Sequence, residues 1–436
     1  MTELTPDLTP DPGTGPARCG CPDFTLSRRR FLGGVAAGTG TLAATSLFGD
    51  AFRQVAYGAP GDNVVVVLSL RGGSDGLSIV VPKPDIGFLI EKRPLVHVPL
   101  DRLVGGNGSW GLHPAMAPLL PMWDAGAFGA VHGVGLPQPN RSHFEAMEVV
   151  EEADPGSRTR VGWINRVIGT LPDPKPEEHV QLGSSMLPTA LQGPAPALGA
   201  YGVNDLQLPS LWNDEALSAS LNKAWGGKGT SLNTGVQTAL DAVKRLKRVS
   251  ATNMDPILAR YPDGPLRSVL ANTATLIKDD VGARMITIDY GDWDMHYGMG
   301  VPEPGNWMYD HLDHFAKSIV AFFDDLGATW ASKVTVVTIS EFGRRVEQNG
   351  TTADDSGVDH GYGNVMMLFG AGVNGGDVRG GWQPLTTDSL NDGDVPVSQD
   401  YRSVLWEVLA SRYPDLSGQR AKIFPGFLPE TVGSML

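Results

Sequence analysis

With 436 residues and 41% hydrophobic side chains, the chain can bury a large core, as one big α/β domain or two smaller ones, and it is too apolar for wholesale disorder. A formal charge of −14 argues against nucleic acid as a main partner. Cys19 and Cys21, the two cysteines, precede a segment read below as an export signal, so the mature part has no disulfide and no thiolate ligand. Any metal must then be held by Asp, Glu, His or backbone oxygen, which points to divalent ions such as Zn²⁺, Mn²⁺, Mg²⁺ or Ca²⁺.

Residues 1–26 are rich in Pro, Thr, Gly and Asp and are expected to be disordered. The paired arginines of Ser27-Arg28-Arg29-Arg30-Phe31-Leu32, followed by the weakly apolar stretch from Gly33 to Phe48, read as a twin-arginine signal. That run is too short and small-residued for a stable membrane span, and Ala56-Tyr57-Gly58 offers a cleavage point near Gly58. The expected sequel is export through the twin-arginine translocase to a periplasmic or extracellular location.

The run Val64-Val65-Val66-Val67-Leu68 predicts a strand buried on both faces, ending in the turn Arg71-Gly72-Gly73-Ser74-Asp75-Gly76. Asp75 is either a residue at the carboxyl edge of a sheet or a turn residue bonded to its own backbone. A helix is expected from Pro114 to about Trp123, and a strand from Phe128 to Val134. Ser142 and Glu145 have capping-box spacing ahead of a helix over Ala146 to Ala153. Ser142 is thus a cap, or a nucleophile whose alkoxide the helix dipole stabilises; the spacing suits both.

From Pro172 to Asn233 the composition is Pro/Gly/Ser/Leu-rich and reads as an irregular insertion, with His179 at the surface. Helices are expected over Thr238 to Val249, with a solvated face of Lys244, Arg245, Lys247 and Arg248, and over Leu266 to Lys278. A strand from Met285 runs into Asp289-Tyr290-Gly291-Asp292-Trp293-Asp294-Met295-His296. Leu312, Phe315, Ile319, Phe322 and Leu326 mark an amphipathic helix, on which His311 and His314 read as surface or packing residues. The strand Val334–Ile339 then stops at Ser340-Glu341-Phe342-Gly343-Arg344, and Asp359-His360-Gly361 follows a polar loop. A strand from Asn364 to Gly370 and a helix from Tyr401 to Arg412 complete a strand–helix rhythm that predicts a mainly parallel sheet.

Open α/β folds bind ligands at the carboxyl edge of the sheet. The candidates placed there are Asp75, His143, Asp292, Asp294, His296, Glu341, Asp359 and His360, with Ser142 beside them. So many carboxylates and imidazoles would repel one another if buried without cations, and metal ions resolve that. Metal ions would also activate a nucleophile and stabilise the leaving oxygen of a phosphate or sulfate ester. Arg71, Arg141 and Arg344 stand beside the strand ends or turns, where a guanidinium can grip a tetrahedral anion.

The segments Arg71-Gly72-Gly73-Ser74-Asp75-Gly76, Ser142-His143-Phe144, Trp293-Asp294-Met295-His296, Ser340-Glu341-Phe342-Gly343-Arg344 and Asp359-His360-Gly361 resemble, in that order, the motifs of domain-of-unknown-function family 1501, a group of exported bacterial proteins. That family in turn resembles the alkaline phosphatase/sulfatase superfamily. The resemblance implies a single three-layer α/β sandwich over 59–436, with a mostly parallel central sheet. It also implies a metal-dependent hydrolase of small anionic esters, with Ser142 attacking, Arg141 or Arg344 binding the anion, and metals held by Asp75, Asp294, His296, Glu341 and His360. The superfamily's Asp-His pair is here Glu341-Phe342, so one histidine ligand is missing; His143 or Asp359 would replace it, or the site would bind one metal. The rival expectations are an inactive envelope protein that binds an anionic glycan or a partner chain, and a metal kept for structure alone.

Overall fold

The β-branched runs form strands whose successive side chains serve opposite faces of one sheet. The computed structural model describes residues 63–207, 214–226 and 230–436; the expected signal over 1–58 lies outside the described residues. In chain order the strands are β1 (Val64–Leu70), β2 (Val80–Pro82), β3 (Trp110–Leu112), β4 (Phe128–Gly135), β5 (His179–Leu182), β6 (Leu198–Ala200), β7 (Met285–Tyr290), β8 (Val334–Ile339), β9 (Arg344–Asn349), β10 (Gly357–His360), β11 (Asn364–Gly370), β12 (Val378–Arg379) and β13 (Gln399–Asp400).

The main sheet runs β12-β4-β11-β8-β1-β7-β5-β6, with β13 also on β4. Every pairing in it is parallel except those of β11, which runs against both β8 and β4. β2 pairs with β3, and β9 with β10, as separate antiparallel hairpins. Among the described residues, no helix is long and apolar enough to cross a membrane.

β1 shows why the sheet is central. Val64, Val66, Leu68 and Leu70 join one apolar cluster, and Val65 and Val67 join another. The first cluster includes residues of helices Ser231–Ser250, Pro265–Lys278 and Trp307–Ala331. The second takes in helices His143–Glu152, Trp163–Ile168 and Tyr401–Arg412. Helices therefore cover both faces, giving three layers with two cores, and a strand apolar at every position but Ser69 is the sequence that such double burial favours. β1 lies between β8 and β7, so the carboxyl ends of these three strands share one edge.

Two expectations need correction, and one alternative is decided. The stretch read as an irregular insertion supplies β5 and β6, which extend the sheet beyond β7. His179 is not at the surface: it opens β5 and is fully buried. His311 and His314 are likewise buried packing residues; the His311 ring stacks on Tyr290 at 4.3 Å between centroids, and His314 Nε2 accepts from the Leu266 amide at 3.3 Å.

Burial keeps several histidines neutral. It pushes His113, His179 and His311 down to about 3, and His132 and His314 down to about 4. An unfolded histidine takes up its proton near pH 6.5, whereas these folded ones do so only much lower. Lowering the pH through that window therefore protonates the unfolded chain first and drains stability, at about 1.4 kcal/mol per pH unit for each histidine. Urea unfolding at pH 7, 6 and 5 is expected to show a steep loss of stability below about pH 6.5, and a flat profile over that range would contradict the neutral burial of these rings.

Candidate metal centre

The residues that converge come from loops at the carboxyl edge of β7 and β8, from the start of a helix, and from β10. His143 is the first residue of helix His143–Glu152, which follows β4. Asp294 and His296 lie in the loop after β7, Glu341 directly after β8, and His360 at the end of β10. Close backbone approach draws these loops together. Gly72 has a φ of +113°, and a Cβ there would come within 2.6 Å of the Asp294 amide nitrogen. A Cβ at Gly357 would come within 2.3 Å of the His296 carbonyl group. Only glycine allows both contacts.

His143, Asp294, His296 and His360 each offer one ligand atom, and these atoms lie within 4.8 Å of one another. The Nε2 atoms of His143, His296 and His360 stand 3.4, 3.0 and 3.4 Å from Asp294 Oδ1. The other nitrogen of each ring is held by an acceptor. His143 Nδ1 donates to Glu341 Oε1 at 2.8 Å, His296 Nδ1 to Asp359 Oδ1 at 2.6 Å, and His360 Nδ1 to the Arg141 carbonyl at 2.8 Å. Because carboxylates and carbonyls only accept, Nδ1 carries a proton in each ring, and in the neutral ring Nε2 is left with a lone pair. His296 Nε2 and His360 Nε2 are only 2.9 Å apart, a contact that needs a proton or a metal cation between them. His143 Nε2 is buried and, beyond its long 3.4 Å approach to Asp294 Oδ1, has no hydrogen-bond partner. Three imidazole lone pairs and one carboxylate oxygen fit a four-coordinate divalent ion, and acceptors behind the rings are the usual way to orient such ligands.

Without a metal ion, protons meet the same demand for positive charge. Burial opposes charge on His143, but its hydrogen bonds to Asp294 and Glu341 hold the imidazole up to about 9. The Asp294 hydrogen bond raises His296 against burial. Burial would raise Asp294, yet the hydrogen bonds from His143, His296, His360 and Arg344 keep it far below the ordinary carboxylate range. Glu341 is lowered in the same way, burial being outweighed by His143 and the Gly72 amide. The pocket thus holds onto anionic oxygen and attracts positive charge.

Several expected site residues stand elsewhere. Asp75 is fully buried, and its carboxylate pairs with Arg93 Nη1 at 2.7 Å and accepts from the Ser78 hydroxyl, so its charge is already answered away from the converging atoms. Asp292 is exposed in a left-handed turn, φ +69°, and does not join the four. Glu341 and Asp359 hold the Nδ1 side of their histidines, which makes them supports for ligands and not ligands. Ser142 is half-buried and caps its helix, with Oγ accepting from the Glu145 amide over a long 3.5 Å.

The arginines are committed. Arg141 binds Asp392 at 3.2 Å and Asp394 at 2.5 Å. Arg71 binds Glu151 at 2.6 Å and Asp289 at 2.7 Å. Arg344 is fully buried and donates to the carbonyls of Gly72, Gly73, Trp293 and Val358 and to Asp294 Oδ1 at 2.8 Å. An anion grip by Arg344 is therefore corrected to a clamp on the loops. Reasoning from sequence missed Arg93, Asp392, Asp394 and Asn349, whose side-chain amide donates to Asp359 Oδ1 at 2.8 Å. Only Asp392-Gly393 carried a signal, that of a tight turn.

Residues 114–399 match the family described as "Protein of unknown function (DUF1501)". No curated protein matches the chain. Among solved structures, the C-terminal periplasmic domain of EcEptC from Escherichia coli, in complex with Zn, is 12% identical with a TM-score of 0.34, over 86% of this chain and 89% of that one. Alkaline phosphatase from the Antarctic bacterium TAB5 is 11% identical with a TM-score of 0.25, over 72% of this chain and 92% of that one.

Replacing Arg344 by Met would leave those carbonyls and Asp294 without their donor. Urea unfolding is expected to show a loss of about 3 kcal/mol or more, whereas a change below about 0.5 kcal/mol would mean that the clamp carries no weight.

Proposed function

The chain belongs to the DUF1501 family of proteins of unknown function, and we propose that it is an exported, metal-dependent hydrolase of small phosphate or sulfate esters. The observation that carries the metal part is the convergence of the His143, His296 and His360 Nε2 atoms on Asp294 Oδ1, each ring held from behind. Those four residues would hold the ion. A divalent ion there supplies Lewis acidity toward an ester oxygen and lowers the pKa of a bound hydroxyl or water.

The protein's own groups support hydrolysis as follows. Ser142 is the residue beside ligand His143, at the N-terminus of a ten-residue helix whose dipole favours negative charge. Its hydroxyl makes only the long bond to the Glu145 amide, which leaves its proton unengaged and its lone pairs largely available. Glu341, Asp359 and the Arg141 carbonyl keep each Nδ1 protonated and so keep each Nε2 facing inward. Phe342, 2% exposed, lays its ring against His143 and His360, with centroids 4.9 and 4.8 Å away. That apolar wall supports a single ion over a pair. The twin-arginine translocase and an anionic ester or glycan are the partners this reading requires.

A second reading has its own observation. With Arg141 and Arg344 both committed, neither of the expected arginines is free to grip an ester's anion. That favours a metal-binding envelope protein without turnover, holding an anionic glycan or a partner chain.

The test is metal analysis of the folded protein, followed by assays with aryl phosphates and aryl sulfates. The proposal expects about one divalent ion per chain and turnover that falls roughly 1000-fold or more in Ser142→Ala. Turnover untouched by that substitution would remove Ser142 from the chemistry. Bound metal without turnover on any ester would favour the second reading.

A further inference from the structure

The third imidazole of the centre is held differently from the other two. His143 and His296 lean on carboxylates, but His360 leans on a backbone carbonyl, that of Arg141. A carbonyl on a loop can fix a ring only if the loop itself is fixed. Arg141 lies between β4 and the helix that begins at His143, and its guanidinium is tied down by a distant piece of chain.

That piece is the tight turn Asn391-Asp392-Gly393-Asp394. The Asn391 amide donates to the Asp394 carbonyl at 2.9 Å, and the Asp394 amide to the Asn391 carbonyl at 3.0 Å. Asp392 and Gly393 have φ of +53° and +84°, the backbone that a two-residue hairpin turn demands. The turn is fastened to β9, since the Val346 amide donates to the Gly393 carbonyl at 3.2 Å and Arg345 donates to the Asp392 carbonyl. Asp394 is 1% exposed. Its Oδ2 accepts from Arg141 Nη2 at 2.5 Å and from Nε at 3.1 Å, a two-point grip that fixes the plane of the guanidinium. Arg345 Nε stands 3.5 Å from the other oxygen, Oδ1.

We propose that Asp394 is a positioning residue of the metal centre: through its grip on Arg141 it holds the carbonyl that keeps His360 Nδ1 protonated and His360 Nε2 turned toward Asp294. An exposed salt bridge is worth little, but here one partner is buried and the other carries a backbone acceptor of the site. The chain of contacts runs Asp394, Arg141 side chain, Arg141 carbonyl, His360: a two-point hydrogen-bonded grip at one end, the covalent frame of Arg141 in the middle, and the 2.8 Å hydrogen bond from His360 Nδ1 at the other.

The experiment compares the full chain with Asp394→Asn, Arg141→Met and the double variant, none of which removes the Arg141 carbonyl or a ligand. Zn²⁺ affinity is measured by competition with a chelator, melting temperature on the metal-free protein, and the His360 ring tautomer by ¹⁵N NMR of the metal-free protein. Each single variant is expected to bind Zn²⁺ about 10- to 100-fold more weakly. The double variant should be no weaker than the worse single one, because both break the same chain of contacts. Without metal, His360 should shift from its Nδ1–H form toward a mixture. A lowered melting temperature with unchanged affinity and unchanged tautomer would overturn the inference and leave Asp394 a structural clamp only. The affinity readout rests on the metal reading above, and the tautomer readout does not. If the wild-type protein binds no Zn²⁺, that reading fails, and the inference about His360 then stands or falls on whether Asp394→Asn changes the tautomer.

Discussion

Two imidazole nitrogens 2.9 Å apart, each bearing a lone pair because its ring's proton is spoken for on the other side, cannot rest against each other without something positive between them. This constraint governs the whole carboxyl edge of the sheet. A proton could join one pair of such atoms, but here a third nitrogen and a carboxylate oxygen crowd the same point. A proton serves two lone pairs, whereas a metal ion serves four at once. The acceptors behind the rings, Glu341, Asp359 and the Arg141 carbonyl, are what turn a group of histidines into a set of inward-facing donors. Without them each ring could turn its N–H inward, and the point of convergence would lose its demand for a cation.

A single buried guanidinium holds the loops that make this crowding possible. Arg344 bonds to carbonyls of the turn after β1, of the loop after β7 and of β10, and to the ligand Asp294 itself. Its five N–H groups in a fixed plane suit that task better than a flexible ammonium would. The same commitment explains why an arginine at a strand end does not by itself mean an anion site. Inside a protein, carbonyls freed by tight glycine turns are as demanding of a donor as any ligand.

The layers of the fold were legible because they follow from one-dimensional pattern. A run such as Val64–Leu70 fits only a doubly covered strand, and β1, β7 and β8 all end where polar residues begin. Less could be read where pairing, and not pattern, decides. β11 is as apolar as its parallel neighbours, yet it runs the other way. His179 looked isolated because its covering comes from segments far along the chain. Asp75 had the right position for a ligand, but Arg93, which neutralises it, sits in a stretch with no motif. The histidines of the centre were recognisable by their place after strands; the roles of Glu341 and Asp359 as supports depend on which face of an imidazole they meet, and residue type and spacing do not carry that.

Phe342 bears on how much chemistry such a centre can do. In place of the histidine expected there, this chain has an aromatic ring, 2% exposed, that packs against His143 and His360. An apolar wall lowers the local dielectric and strengthens every electrostatic interaction beside it, including the hold of Asp294 on a cation. It also offers no donor atom to a second ion. Under the proposed function, such a wall favours one ion over two. Activation of the attacking group and support of the leaving oxygen would then fall to one ion and to the protein's own groups, chiefly Ser142 and the helix it caps.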